Sequence, residues 1–367
     1  MHVTKPGKSK RPEPDSRRDA VLAAIIEEHL VTGEAVGSHV VSDRFAHAIG
    51  WSSATIRNVM SELDDMGLLQ QPHTSAGRIP TDRGYRYYVD HMLAAEPLTR
   101  TDVKTIESIG TARDMKNQPD RLMERASHVL AELSENVGIV VWPSIAENRL
   151  EHIRFVRLPD KRVLVVMVST SHLVHDKVIE VDEEFSQDEL DRTARYLNLE
   201  FKGKTLLAIR TEIFALMKEE KALYDRLLRN AILLCETSLQ GEDESIGGVY
   251  LDGTFKILTK PEFAANTDRL RALLQTFEEK SRLVKILNEC VASDPLGHVT
   301  VVIGRENPVT AMKRCAVITT SYDLGDNLAG TIGVVGPTRI AYGRTMAVVN
   351  YLARFIERAL SHGLPPQ

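Results

Sequence analysis

The sequence holds little that would build a disulfide scaffold, a thiolate metal centre or a membrane span. Only three of its 367 residues are cysteine, at Cys235, Cys290 and Cys315. An odd number at wide spacing argues against a disulfide framework and for a reducing cytoplasm. No CxxC pair is present, which disfavours a zinc site of thiolates. No apolar run reaches the roughly 18 residues of a membrane helix, and the N-terminus is too polar for a signal peptide. A basic excess is missing as well: the formal net charge is −5. What remains is ordinary for a soluble globular protein, with 43% apolar and 26% charged residues. The length predicts two to three domains.

The negative balance does not by itself exclude a nucleic-acid partner, because phosphate attraction acts within about 8–10 Å. Locally the chain is basic in two places. Lys5, Lys8, Lys10, Arg11, Arg17 and Arg18 crowd the start, and Arg78, Arg83 and Arg86 form a second group. Non-specific affinity for DNA is expected to be modest.

Residues 1–16 hold three prolines and several lysines and read as a disordered basic arm. Three helical patterns follow. Arg17–Val31 puts Val21, Leu22, Ile25, Ile26 and Leu30 on one face and stops at Thr32-Gly33. A second helix starts at the cap Ser38 and turns Val41 and Phe45 inward. A third starts at Ser52 or Ser53, carries Ile56, Val59, Met60 and Leu63 inward, and stops at Gly67. Leu68–Gln71, the turn-rich His73-Thr74-Ser75-Ala76-Gly77, and Arg78-Ile79-Pro80 read as a hairpin. Thr81 then caps a helix with Tyr85, Tyr88, Val89 and Met92.

Beyond a linker at Pro97–Thr99, a helix is expected over about Gln118–Asn136. Strands are expected at Gly138–Trp142, Leu150–Leu158, Val163–Ser169 and Leu173–Val181. The continuously apolar runs Val163–Val168 and Val299–Ile303 predict strands buried on both faces. The stretch from Phe185 to Leu239 is helical and charged. Its apolar residues Leu216, Leu223, Leu227, Ala231 and Leu234 suit a core or, slightly better, a dimer interface. Strand Val249–Leu258, helix Thr267–Val291, strands at Val299–Gly304, Ala316–Tyr322 and Thr331–Val335, and helix Gly343–Leu360 complete the chain. A sheet split by a helical segment predicts an α+β domain with an insertion.

Three helices followed by a two-stranded wing is the order of a winged helix-turn-helix, whose third helix offers polar side chains to base edges. Its outward face carries Thr55, Arg57, Asn58, Ser61 and Glu62. Arginine suits guanine and asparagine suits adenine, each by paired hydrogen bonds. Ser52 and Ser53 stand where free N–H groups favour phosphate. The wing brings His73, Thr74, Ser75 and Arg78, with Gly77 permitting close approach. Set against this, an Arg and an Asn on a helix are more often plain solvated surface, and it is the order of elements that favours DNA.

The residues also carry a resemblance. Thr32–Ser38, Ser53–Met60 and Gly67–Thr81 resemble the heat-inducible transcription repressor HrcA family, as do Gly84-Tyr85-Arg86 and Tyr88-Val89-Asp90. The likeness returns at Val249-Tyr250, Gly253, Pro261-Glu262-Phe263, Ile303–Asn307 and Gly330–Arg339. Ala35, in place of a usual proline, and Ile340-Ala341 depart from the family pattern. The resemblance implies a dimer that binds an inverted-repeat CIRCE operator of chaperone operons, kept active by a GroEL-type chaperonin and inactivated by heat. It also implies an α+β fold: a winged helix-turn-helix, then a GAF-like domain carrying an inserted helical dimerisation domain. The division expected is 1–16 arm, 17–95 winged helix, 96–182 and 261–367 GAF-like, and 183–260 insert. Two-fold heads reading two-fold half-sites give the inverted repeat.

Other chemistries fare worse. His39 and His47, and His172 and His175, lie near each other without an HExxH pattern, so surface histidines explain them better than a metal. Gly330, Gly333 and Gly336 lack the lysine and helix of a phosphate loop, which leaves strand packing and a turn as the better reading. Asp182-Glu183-Glu184 reads as a solvated helix start. No triad or nucleophile elbow is present, so an enzyme is not expected, nor any cofactor. A regulator controlled by a small-molecule effector in the GAF-like domain is the alternative, although fold alone does not license it.

Overall fold

The computed structural model describes residues 17–44, 51–73, 76–93, 96–110, 119–143, 149–170, 174–181, 183–205, 208–209, 211–212, 230, 233–234, 248–264, 267–291, 298–324 and 329–361. The arm 1–16, Phe45, His47, Thr74, Ser75, His172, Asp182 and most of the run Glu212–Leu239 lie outside them.

The chain opens with α1 (Arg17–Thr32), α2 (Ser38–Arg44) and α3 (Ser53–Asp65). The two-residue strands β1 (Leu69–Gln70) and β2 (Ile79–Pro80) follow, then α4 (Asp82–His91). The capping residues act where the sequence places them. Ser52 accepts from the backbone N–H of Thr55 at the start of α3, and Thr81 from that of Gly84 at the start of α4. Val21, Leu22, Ile25, Ile26, Val41, Ile56, Val59, Met60 and Leu63 form the buried centre of this N-terminal unit. Burying such side chains stabilises it by about 1.5–3 kcal/mol apiece.

Next come α5 (Arg100–Glu107), α6 (Pro119–Ser134) and β3 (Val137–Val141), then β4 (Leu150–Leu158), β5 (Arg162–Ser169), β6 (Val174–Glu180) and α7 (Gln187–Phe201). After β7 (Val249–Asp252) are the helices α8 (Thr254–Leu258), α9 (Pro261–Ala264), α10 (Thr267–Glu278) and α11 (Lys280–Val291). The chain closes with β8 (Thr300–Ile303), β9 (Cys315–Asp323), β10 (Ala329–Pro337) and α12 (Tyr342–Ser361). The protein is therefore a mixed α+β structure.

Five strands form an antiparallel sheet in the order β7-β3-β10-β9-β8. One face carries Val140, Ile318, Ile332 and Val334 into a core shared with α6 and α12. The other face carries Ile139, Val141, Val317 and Val335 against α10 and α11. Burial on both faces is a property of β9 and β10, which are covered along all but one terminal residue each. Gly330, Gly333 and Gly336 all lie within β10.

Strands β4, β5 and β6 pair with one another in a separate three-stranded sheet, and Leu150 of β4 also bonds the backbone of Gly203 and Lys204. They leave the five-stranded sheet after β3 and return at β7, its direct neighbour, where Val141 pairs with Val249. Phe155, Val163, Val165, Leu190, Leu197 and Phe201 close a core of their own between this sheet and α7. Leu234 is fully buried in that core rather than presented outward.

Several expectations need correction. In Val163–Val168 only Val163 and Val165 are fully buried, in the core that includes α7, and the other four residues are half-buried. Thr300–Ile303 alternates between half-buried and buried residues, as the edge strand β8. The strand expected over Val249–Leu258 ends at Asp252, where Gly253 turns left-handed with φ 82° and α8 begins. The single helix expected over Thr267–Val291 is two helices meeting at Glu279, with neither glycine nor proline to mark the break.

Candidate nucleic-acid interface

Helix α3 is amphipathic because its apolar residues recur at helical spacing, and burying Ile56, Val59, Met60 and Leu63 leaves the opposite side free. On that free side Arg57, Asn58, Ser61 and Glu62 are all exposed, one turn apart or adjacent. They form a polar strip carrying donors of the kind that pair with base edges.

The serines and threonine at the head of α3 do different work. Ser52 is exposed and its Oγ caps the helix, 3.2 Å from the Thr55 nitrogen. The Thr55 hydroxyl lies 3.0 Å from the same oxygen and is half-buried. Ser53 Oγ lies 2.9 Å from Ser38 Oγ, tying the start of α3 to the start of α2. Ser52 is the exposed one of the two serines, and the hydroxyl of half-buried Ser53 is engaged by Ser38.

Beside α3 stands the hairpin β1–β2, paired as Leu69 with Pro80 and Gln70 with Ile79. Its base is widened by an antiparallel bridge in which Val36 and Arg78 exchange two backbone hydrogen bonds of 2.9 Å. Gly77 makes that bridge possible, because a Cβ there would fall 2.4 Å from the carbonyl carbon and oxygen of Val36. Toward the tip, Gln71 Nε2 donates to the Ala76 carbonyl at 3.0 Å, and His73 is exposed.

Arg78 is not placed with the exposed group. Its side chain is only 20% exposed and its Nε stands 3.0 Å from Asp64 Oδ2, on the last turn of α3. The N–H is not aimed along that line, so the pair is held by charge. The sequence offers Arg78 as a DNA-facing wing residue and gives no sign of Asp64. The contact between helix and wing has no local signal, because the two residues belong to different elements.

The far side of the N-terminal unit is fastened to the rest of the protein. Arg86, on α4, donates from Nε to Glu306 Oε1 at 2.9 Å and also bonds the Val301 carbonyl. Burial pushes the Glu306 carboxyl up, but the Arg86 hydrogen bond and the Ile303 backbone N–H outweigh this and hold it below the usual range. His29, near the end of α1, bonds the Glu34 carbonyl at 2.8 Å. Burial lowers its pKa, helped by Arg339. Among the described residues no group of three or more His, Cys, Asp or Glu could hold a metal ion, and no helix is long and apolar enough to cross a membrane.

Residues 120–346 match the family described as "HrcA protein C terminal domain". A protein of Geobacter sulfurreducens named heat-inducible transcription repressor HrcA is 39% identical over 94% of this chain and 97% of its own length. Relatives of the same name from Syntrophobacter fumaroxidans and Brevibacillus brevis are 36% and 34% identical, again over 94% of the chain and 97% of theirs. A crystal structure of a hypothetical protein at 2.2 Å resolution shares the fold, with a TM-score of 0.60 at 22% identity over 95% of this chain and 99% of that one. With a family match over more than half its length and relatives of this identity along nearly all of it, the chain belongs to the HrcA family.

Proposed function

We propose that this chain is a transcription repressor of heat-shock operons and not an enzyme, and that its N-terminal unit is a winged helix-turn-helix reading DNA. The observation that carries the reading is the free face of α3, where Arg57, Asn58 and Ser61 stand exposed beside the wing. A helix of this kind fits the major groove, and Arg57 and Asn58 have the donors for guanine and adenine edges. Ser52 and the wing residue His73 would meet the flanking backbone, with Thr74 and Ser75 expected beside them at the tip and Arg78 supporting the wing from behind.

The relatives' name supports heat-inducible control. We read the five-stranded sheet as the GAF-like domain and, in place of the 183–260 expected from the sequence, 142–248 as the insert that pairs two copies, because β4–β6 form a sheet of their own between β3 and β7. Apolar residues on the outer face of the three-stranded sheet support that pairing. Val156, Leu164 and Val178 lie in one cross-strand row, and Val168 pairs with Val174. Val174 and Val178 are 58% and 50% exposed on the same face of β6, four residues apart with Asp176 between them. Two copies would read an inverted-repeat CIRCE operator, kept active by a GroEL-type chaperonin. The test is a gel shift on an inverted repeat from a chaperonin promoter, with and without chaperonin, against a scrambled duplex. Preference for the repeat that falls steeply with salt, and recovers with chaperonin after heating, is the expected result. Equal binding to the scrambled duplex would refute it.

A further inference from the structure

Polar contacts at three points join the N-terminal unit to residues more than two hundred positions away, and all three points fall on its back. At the end of α1, Arg339 Nη1 donates to the Leu30 carbonyl at 3.0 Å, one of the carbonyls a helix leaves unpaired at its C-terminus. Its Nε is held by Glu262 Oε1, so the guanidinium is fixed from both sides. At the start of α4, Asp82 Oδ2 accepts from the Arg305 backbone N–H at 3.0 Å, and its carboxylate fills the space beside Gly304 where a Cβ would otherwise lie. One turn on, Arg86 grips Glu306 through both nitrogens of a fork. Between these points the Tyr85 and Tyr342 rings pack with centroids 5.7 Å apart.

We propose that Arg339, Glu306 and the Asp82–Arg305 contact form a clamp that fixes the orientation of the reading unit on the five-stranded sheet. In a two-copy repressor the clamp then sets the distance and angle between the two recognition helices. The proposal rests on the DNA-reading function above and adds a role for residues that touch no DNA. The clamp is not a cover. None of its residues is on α3, and Arg57, Asn58 and Ser61 stay exposed while it is closed. It is not a flexible tether either, because one contact lies at the end of α1 and two lie on the first turns of α4. Points on two helices resist rotation about either helix axis. Arg339 and Glu306 are therefore positioning residues: they decide where a helix points, not what it reads.

The test uses the full-length protein and compares wild type with Arg339→Ala, Glu306→Gln, the double variant, and Arg339→Lys as a milder change. Fluorescence anisotropy is measured on four duplexes: the natural inverted repeat, a single half-site, and the repeat with its spacer lengthened by two and by four base pairs. The expected result for the double variant is half-site affinity within about twofold of wild type, with affinity for the natural repeat reduced about tenfold or more. Wild type should lose at least about tenfold on a lengthened spacer, and the double variant less than about threefold, since a freed unit adjusts to either spacing. Arg339→Lys should fall between them. Variants that discriminate spacers as sharply as wild type would overturn the clamp. So would half-site affinity falling in step with the full repeat, which would mean that these residues only help the unit to fold. A wild-type protein that binds no inverted repeat would overturn the DNA-reading function, and the clamp with it.

Discussion

Replacing Gly77 by alanine should unseat the wing, whereas the same change at Gly37 should be tolerated. At Gly77 the new Cβ would lie 2.4 Å from the Val36 carbonyl carbon and oxygen and 2.8 Å from the Gly37 nitrogen, all of them backbone. Ordinary contact needs roughly 1 Å more, and no side chain is available to give way. A shift of that size carries both 2.9 Å hydrogen bonds between Val36 and Arg78 beyond reach. Each is worth about 1 kcal/mol net, so about 2 kcal/mol is lost. The Arg78–Asp64 pair loosens with the bridge, but it is partly exposed and adds only a few tenths. At Gly37 nothing lies within 4 Å of the added Cβ, and alanine should stay within about 0.5 kcal/mol of wild type. The assay is urea unfolding followed by Trp51 fluorescence in a Trp142→Phe background. Trp51 lies in the N-terminal unit under the Arg17 guanidinium, 5.5 Å from its ring centre. If both alanine variants move the midpoint equally, the close approach of Gly77 to Val36 is not what holds the wing.

Arg57→Ala should cost about 1–3 kcal/mol on the cognate operator and relax base choice at one position, as measured by competition with single-base variants; equal loss on random DNA would remove its reading role. Val174→Glu together with Val178→Glu should shift a dimer toward monomer in sedimentation, and an unchanged mass would place the pairing surface elsewhere. His29 is held neutral by burial, with Arg339 lowering its pKa further and Glu262 and Glu34 opposing. The unfolded chain therefore takes up that proton more readily, so the stability from neutral His29 is present above pH 6.5 and is lost as pH falls through the lowered value. His29→Gln should flatten the decline in urea midpoint just below pH 6.5, and an unchanged slope would refute the assignment. Burial pushes the Cys290 thiol up to about 11 and the Cys315 thiol up to about 12. Both should resist alkylation at pH 8 in the folded protein and react in urea, as read by mass spectrometry.

Local chemistry made the N-terminal unit legible. Ser52 and Thr81 cap the helices expected of them, and the inward residues of α3 are the four that the spacing predicted. Strand β4 has the expected bounds Leu150–Leu158, with Ile153 and Phe155 buried on one face and His152 and Arg154 exposed on the other. Hydrophobicity alone misled at Val163–Val168, since a valine-rich run reads the same whether one face or two are covered. Which sheet a strand joins depends on pairing partners far away, so the separate sheet of β4–β6 left no trace in local pattern. Arg78 shows the same limit at a single residue. Its charge was visible, but the Asp64 carboxylate that occupies it was not.

The pairing of β3 with β7 has a further consequence for how this protein could be cut and rebuilt. Val141 and Val249 are cross-strand partners, and the Trp142 N–H donates to the Gly248 carbonyl at 2.8 Å, one step beyond the last pair. The polypeptide thus departs and returns through a doorway one strand spacing wide, and β4–β6 and α7 with their own core lie beyond it. A tight two-residue turn could join the two strands directly. Replacing this folded excursion with such a turn would lower the closure cost of the β3–β7 ladder, by at most about 3 kcal/mol, the value for a fully flexible loop of that length. The sheet that carries the clamp would remain whole. The product would be a smaller chassis that keeps the reading unit on its sheet.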